Sequence, residues 1–306
     1  PAIANRSSLI ANRSRFFLIG MGGSHLAADL ALIWNPQLPL TIVSDYGLPA
    51  NITKKDLVIA SSYSGNTEET IDGLKIAFKK KIPVVVIAVG GKLIALAKEH
   101  NLPYIQLPNT GIQPRCALGF SLRALFKILG DERGLLESAK LAKTLDPTKF
   151  EKAGQTLATK LTGKVPVIYS SRSNFAVAYN WKIKLNETGK VPAFYNVLPE
   201  LNHNEMNGFD VKPSIKSLCN KFHFIFLKDK KDHPRVQKRM AILERLYRER
   251  GLPVETLELQ GKTVFEKMFS SLVLADWTAV YLAKHYKLES EQVPMVEEFK
   301  KLMVDR

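Results

Sequence analysis

Apolar and polar positions along this chain fall into blocks. Phe16-Phe17-Leu18-Ile19, Leu57-Val58-Ile59-Ala60 and Val84-Val85-Val86-Ile87-Ala88-Val89 are continuous apolar runs, the pattern of strands buried on both faces. Leu40-Thr41-Ile42-Val43 and Tyr104-Ile105-Gln106-Leu107 predict two shorter strands. Between the runs the spacing changes to three and four residues: Leu26, Ala27, Leu30 and Ile33, then Thr70, Ile71, Leu74, Ala77 and Phe78. That spacing predicts helices, as do the stretches from Leu93 to His100 and from about Cys116 to Leu129. Strands alternating with helices predict a parallel sheet covered on both sides.

A largely helical stretch from Gly130 to Leu161 leads to a second alternation. It begins with a strand at Val165-Pro166-Val167-Ile168-Tyr169, followed by Ser170-Ser171-Arg172-Ser173-Asn174 and a helix holding Ala176, Ala178, Trp181 and Leu185. Later strands are expected at Phe222–Leu227 and Pro253–Leu257, with helices at Pro234–Arg250, Phe265–His285 and Met295–Val304. Strand, serine-bearing turn and helix thus recur in both halves, which predicts a duplicated α/β unit. The expected domains are residues 1–145 and 146–306.

Two of the turns carry candidate chemistry. After the run ending at Ala60 comes Ser61-Ser62-Tyr63-Ser64-Gly65-Asn66-Thr67-Glu68-Glu69, at the point where a strand passes into a helix N-terminus. Unpaired N–H groups and the positive end of the helix dipole favour an anion there. Ser62, Ser64 and Thr67 add hydroxyl donors, and Gly65 allows close approach of the backbone. With no lysine in the turn, this is no nucleotide P-loop; it fits one phosphate on a small molecule. Any one of these hydroxyls alone would read as an ordinary helix cap. The earlier turn, Gly20-Met21-Gly22-Gly23-Ser24, lacks the third glycine that a dinucleotide site requires at His25. Gly22, Gly23 and Ser24 therefore do not read as a dinucleotide turn.

Composition narrows the class. At 306 residues and 45% hydrophobic content the chain can fill two cores, and its apolar runs are too short to span a membrane. Pro1 to Arg15 has no apolar segment of a secretory leader, and the absence of an initiator Met is expected of a processed or truncated start. Two cysteines, Cys116 and Cys219, exclude a disulfide scaffold and a cysteine-rich zinc site. A cytoplasmic protein is expected. The net charge of +15 is spread evenly, with 17 basic and 10 acidic residues in 1–145 and 27 and 19 in the rest. Its densest run, Lys228 to His233, contains two acids and reads as a solvated loop. No nucleic-acid recognition motif accompanies the charge, so a surface that attracts small anions accounts for it and no nucleic-acid partner is expected.

The second half adds an acid–base set. Glu187 closes a mainly apolar helix, and Pro199-Glu200-Leu201-Asn202-His203-Asn204-Glu205 is a knot of acids, amides and one histidine. Glu187 alone could be a satisfied helix-terminal carboxylate, and a lone histidine is usually structural. Beside a phosphate turn, the two together suit general acid–base work. Arg115, after Pro114 at a helix entry, is either an ordinary surface arginine or one turned toward substrate. The six histidines show no paired ligand spacing, so neither a metal nor any other cofactor is expected.

Ser62-Tyr63-Ser64-Gly65-Asn66-Thr67-Glu68-Glu69 resembles the S-x-S-G-x-T-x-E phosphate loop of the sugar isomerase (SIS) superfamily. With the Gly22-Gly23-Ser24 loop, the Asn186-Glu187 segment and the Glu200–Glu205 segment, the likeness extends over nearly the whole chain. It sharpens to the bifunctional phosphoglucose/phosphomannose isomerases, a compact branch found in archaea and some bacteria. The resemblance implies two SIS domains, each a three-layer α/β/α unit with a parallel, flavodoxin-like sheet. It also implies metal-independent aldose–ketose exchange of glucose 6-phosphate, and of mannose 6-phosphate, with fructose 6-phosphate. On that resemblance Gly22, Gly23 and Ser24 line the site, and Ser62, Ser64 and Thr67 hold phosphate. Glu187 is the base that carries the proton through a cis-enediol, Arg115 lies near the developing oxyanion, and His203 and Lys300 assist ring opening. His203 is donated by the neighbouring subunit, which implies a homodimer. Lys300 is preferred to Lys301 because it follows Phe299. Members active on mannose 6-phosphate often carry a threonine where this chain has Val293, which offers no hydroxyl; the departure bears on the mannose activity. The rival readings are a non-catalytic sugar-phosphate sensor and another SIS enzyme acting on amino-sugar phosphates.

Overall fold

The computed structural model describes Arg13 and residues 15–303. The expectations about a leader and about Val304 lie outside the described residues. The chain divides into two compact units, one ending at Leu141 and the other beginning at Ala142.

In the first unit, β1 (Phe16–Ile19), β2 (Leu40–Val43), β3 (Leu57–Ser61), β4 (Val84–Ala88) and β5 (Tyr104–Gln106) form one sheet in the order β2-β1-β3-β4-β5. Every pairing is parallel. The order is the flavodoxin-like one. β1, β3 and β4 are buried along their whole length, whereas β2 and β5 are partly exposed. The reason is position: inner strands of a parallel sheet are covered on both faces, edge strands are not. The unit's helices are α1 (Gly23–Trp34), α2 (Glu68–Lys79), α3 (Gly91–Glu99), α4 (Leu118–Leu129) and most of α5 (Glu132–Thr144), whose last three residues fall in the second unit. α2 buries Thr70, Gly73, Leu74 and Ala77 on one stripe, with Leu74 and Ala77 packed among Val58, Ala60 and Val86 of the sheet. At the amino end of β3, Asp56 takes a two-pronged bond from Arg15 (Nε to Oδ1 3.0 Å, Nη2 to Oδ2 2.9 Å) and two more from Thr53. Burial alone would raise this carboxyl; the bonds from Arg15 and Thr53 outweigh it and hold it below the usual range.

The second unit holds α6 (Glu151–Leu161), β6 (Val165–Ser171), α7 (Phe175–Glu187), β7 (Phe194–Leu198), the short α8 (Lys216–Cys219), β8 (Phe222–Lys228), α9 (Pro234–Glu249), β9 (Val254–Glu258), α10 (Val264–His285) and α11 (Pro294–Leu302). Its parallel sheet runs β7-β6-β8-β9. This repeats the first four positions of the other sheet, as a duplicated unit should. α10 starts from a capping box in which the Thr263 hydroxyl accepts from Glu266 N at 3.1 Å while the Glu266 carboxylate accepts from Thr263 N at 3.3 Å.

β7 is the strand that sequence reading passes over. It lies between Pro192 and Pro199 and mixes Tyr195 and Asn196 into a five-residue run, with only Val197 and Leu198 buried. It is an edge strand, so half-exposure blurs its pattern.

In both sheets the order reverses beside the first strand of the unit, between β1 and β3 and between β6 and β8. Ligands of open parallel sheets gather at the carboxyl ends of strands at such points.

Candidate active site

In the first unit the two turns at the switch point are sewn together. Ser24, at the start of α1, accepts from Tyr63 N on its hydroxyl at 2.8 Å, and its carbonyl accepts from the Ser61 hydroxyl at 3.0 Å. The close approach needs glycine before it. A Cβ on Gly23 would meet the Pro114 carbonyl carbon at 2.8 Å and Arg115 N at 2.9 Å, so the Gly22–Ser24 turn and the Pro114–Cys116 turn lie backbone against backbone. Arg115 is 2% exposed, which discards the surface-arginine reading. A buried guanidinium is costly unless paired, and such a group in this turn is one that the fold holds in place.

The Ser62–Thr67 turn is already shaped. The buried Ser62 hydroxyl accepts from Gly65 N at 3.1 Å and shares a 2.8 Å bond with the Thr67 hydroxyl. Gly65 sits at φ +74°, where a Cβ would fall 1.8 Å from the Gly90 carbonyl oxygen. The turn is docked on the start of α3, with Asn66 Oδ1 accepting from Lys92 N at 3.0 Å and the Gly65 carbonyl accepting from Leu93 N at 2.9 Å. Ser64 is exposed and its hydroxyl accepts from Asn66 N at 3.2 Å. Thr67 is the N-cap of α2, yet its side chain makes no cap bond. Thr67 thus leaves the first-turn N–H groups of α2 without a side-chain cap, and helix N-termini in general favour anions. Gly22, Gly23, Ser24, Ser62, Ser64, Thr67 and Arg115 are thus gathered by one set of adjoining turns. Ser62 is an internal brace of the turn, bonded to the Thr67 hydroxyl, while Ser64 is exposed.

The second unit treats its equivalent turn differently. Ser171, at the end of β6, donates to Asp232 Oδ1 at 2.6 Å, and Asn174 donates to the same oxygen at 3.2 Å. The chain's own carboxylate occupies these donors. Burial lifts the Asp232 carboxyl above its ordinary value, more than the bond from Ser171 lowers it. Asp229 is also turned inward, onto Lys267 at 2.5 Å. The run Lys228 to His233 is therefore not a solvated mixture of charges: its acids are buried, and Lys230 and Lys231 are exposed.

Glu187 is the last residue of α7 and is half-buried. The turn after it is fixed from two sides. Asn186 Nδ2 donates to Val191 O at 2.9 Å, and Lys190 Nζ donates to Glu187 O at 2.7 Å and to Gln292 O. Gly189 permits the tight exit, since a Cβ there would meet the Leu185 carbonyl oxygen at 2.7 Å. His203 is exposed at the end of a 3-10 turn, Glu200–His203, whose Leu201 is wholly buried. Lys300 lies exposed on α11, its ammonium 2.6 Å from Glu297 Oε1. Lys301 is exposed on the same helix. α11 buries none of its residues, and its N-cap Val293 gives no side-chain cap bond.

Sequence reasoning did not single out Tyr169, Asn196 or Lys190. The first two bind the Glu205 carboxylate (Tyr169 OH to Oε1 2.5 Å, Asn196 Nδ2 to Oε2). Only strand register brings those residues together, so local spacing carried no signal for them. Among the described residues, no group of three or more His, Cys, Asp or Glu could hold a metal ion, and no helix is long and apolar enough to cross a membrane.

Comparison with known proteins agrees with this division of the chain. Residues 9–126 match the SIS domain, and residues 150–303 match the bacterial phospho-glucose isomerase C-terminal SIS domain. A bifunctional phosphoglucose/phosphomannose isomerase of Aquifex aeolicus is 35% identical over 92% of this chain and 88% of its own length. One from Caldicellulosiruptor bescii is 33% identical over 94% and 89%. Among solved structures, a hypothetical protein from Thermus thermophilus superposes with a TM-score of 0.77 at 18% identity, covering 97% of this chain and 84% of that one. This last likeness concerns the fold alone.

Proposed function

The chain belongs to the bifunctional phosphoglucose/phosphomannose isomerase family, and we propose that it interconverts glucose 6-phosphate and fructose 6-phosphate, and mannose 6-phosphate and fructose 6-phosphate. The observation that carries the reading is the preformed Ser62–Thr67 turn, stitched to Ser24 and leaving the α2 N-terminus to an anion. Ser64, Thr67 and the N–H groups behind them bind the phosphate, with Ser62 keeping the turn in shape and Gly22, Gly23 and Ser24 lining the sugar. A phosphate gripped away from the reacting carbons supplies orientation that the transition state shares.

Aldose–ketose exchange moves one proton between neighbouring carbons. Glu187, as carboxylate, takes the proton from C2 of the open-chain aldose; the C–H electron pair forms the C1–C2 double bond of a cis-enediolate. The same carboxyl returns the proton to C1, while the hydroxyl proton passes from O2 to O1, giving the ketose. One base that keeps and returns the proton suffices, and partial burial suits it. Arg115 stabilises the negative charge that grows on oxygen. His203 and Lys300 serve ring opening, His203 being supplied by the second subunit of a homodimer. A cytoplasmic location and independence of metal belong to the same proposal.

The test is an assay with fructose 6-phosphate in which glucose 6-phosphate and mannose 6-phosphate are followed separately, with and without chelator. Both products at unchanged rates under chelator are expected. Tight fructose 6-phosphate binding with neither product would replace the enzyme by a sensor of sugar phosphates.

A further inference from the structure

His203 is an exposed side chain on a segment with little structure of its own. Glu200–His203 and Glu205–Phe209 are 3-10 turns that meet at Asn204, and such turns have poor internal hydrogen-bond geometry. An imidazole used in catalysis nonetheless has to be held within about half an ångström of its working position. What holds this segment is a carboxylate two residues further on.

Glu205 spends both of its oxygens on the sheet. Oε1 takes the Tyr169 hydroxyl at 2.5 Å, and Oε2 takes the Asn196 amide. Tyr169 of β6 and Asn196 of β7 are register partners in the parallel pair, so the two donors stand side by side on neighbouring strands and the carboxylate spans them. The Tyr169 side of this brace is rigid. The residue is fully buried, with its ring packed on Phe224, Phe226 and Tyr247 at centroid distances of 5.5, 5.4 and 6.3 Å. Burial, with Tyr247 and Glu205 beside it, pushes the Tyr169 hydroxyl far above its ordinary pKa, so it stays a donor. From Glu205 the fixing passes back along the chain. Asn204 Oδ1 accepts from Glu205 N at 2.6 Å, and Asn204 Nδ2 donates to Glu200 Oε1 at 2.9 Å, closing the ring of bonds around His203. Leu201 anchors the other flank in the core.

We propose that Glu205 is a positioning residue for His203, its carboxylate bridging the register pair Tyr169–Asn196 so that the exposed imidazole is presented in one place. The proposal rests on the reading of His203 as a ring-opening group. With both oxygens engaged by donors, Glu205 acts on His203 through geometry rather than by exchanging protons with substrate.

A double-mutant cycle in the full chain tests it, with Glu205→Gln, His203→Ala and the pair, each checked by circular dichroism and thermal unfolding. Turnover and KM are read on fructose 6-phosphate. Glu205→Gln should lower kcat on the order of 10- to 100-fold, the scale of a misplaced catalytic group, with KM within about 3-fold. In the His203→Ala background the same change should lower kcat by less than about 2-fold, because the group it positions is gone. A merely structural Glu205 would lower kcat equally in both backgrounds, and that result overturns the proposal, as does an unchanged kcat in Glu205→Gln. If Glu205→Gln does not fold, Tyr169→Phe, which removes one of the two donors, enters the cycle in its place with the same expectation. Wild-type turnover in His203→Ala would instead overturn the role given to His203 itself, so the two failures are distinguishable.

Discussion

Gly65→Ala isolates the proposed phosphate turn from the rest of the protein, and its effect can be worked from the backbone. Gly65 sits at φ +74°, where an alanine costs about 1–2 kcal/mol. Its Cβ would also lie 1.8 Å from the Gly90 carbonyl oxygen, against about 3.5–4.0 Å for comfortable carbon contacts. Relief requires the turn and the start of α3 to part by more than an ångström, which breaks the bond from Leu93 N to the Gly65 carbonyl. Overpacking of this kind costs a further 1–3 kcal/mol or so, so the expected loss of stability is about 2–5 kcal/mol. The displaced residues include Ser64 and Thr67, and a shift of about 1 Å in a binding group is worth on the order of 10² in function. Two neighbouring glycines serve as controls. Gly22, at φ +49° and ψ −127° with open space around a Cβ, should show backbone strain alone, about 1–3 kcal/mol. Gly90 has an extended backbone, and a Cβ there meets nothing; its alanine variant should lie within about 0.5 kcal/mol of the parent. The assays are urea unfolding and calorimetric titration with fructose 6-phosphate and with inorganic phosphate. Gly65→Ala should bind both ligands about 10²-fold more weakly. If it matches Gly90→Ala in midpoint and affinity, the turn is not the phosphate site and the packing argument is wrong.

Glu187→Gln should lower turnover by about 10²–10⁴-fold while leaving fructose 6-phosphate affinity nearly intact; near-normal turnover would remove Glu187 from the proton path. Val293→Thr places a capping hydroxyl at the start of α11, where no side chain now caps, and should stabilise that helix by about 0.5–2 kcal/mol. The same change should raise mannose 6-phosphate turnover relative to glucose 6-phosphate, and an unchanged product ratio would disconnect Val293 from substrate choice. Asp56 is held below its unfolded pKa of about 3.9, so its contribution to stability is present above that value and is lost as pH falls through the lower folded value. Arg15→Ala should therefore lower the urea midpoint at pH 7 and shrink the further loss between pH 5 and pH 3; an acid profile parallel to the parent's would contradict the pairing.

What could be read in the chain, and what could not, follows from how local each signal is. β3 and β4 are legible because inner strands of a parallel sheet are apolar on both faces, and Ser62 to Thr67 because glycine and hydroxyls cluster where strand becomes helix. Arg115 is buried where Gly23 meets the Pro114–Arg115 turn backbone to backbone, a contact between residues far apart in sequence. The inward turn of Asp229 and Asp232 depends on Lys267 and Ser171, again remote. β7 was hidden by being an edge, and with it went Asn196 and the partner it finds in Tyr169. Glu205 stood in the recognised segment all along, but its two donors belong to strands whose register no local pattern reports.

On the proposed reading, the duplicated fold also accounts for anion binding in one half alone. Both units offer the same place, a serine-bearing turn after the first strand of a parallel sheet at its reversal point. In the first unit that place is built from backbone: Gly65 at positive φ, Ser62 spent on the turn itself, and an uncapped α2 N-terminus facing outward. In the second, Ser171 and Asn174 are satisfied by Asp232, a charge of the sign a phosphate would bring. An internal carboxylate on those donors repels a second anion and leaves it no hydrogen bonds to gain. Once its anion is supplied from within, this turn is free of ligand constraint, and the residues proposed to carry the chemistry of the second unit lie elsewhere: Glu187 at the end of α7 and His203 on the turn that β6 and β7 brace through Glu205. In the proposed enzyme one half binds through a shaped backbone, and the other acts through individually braced side chains.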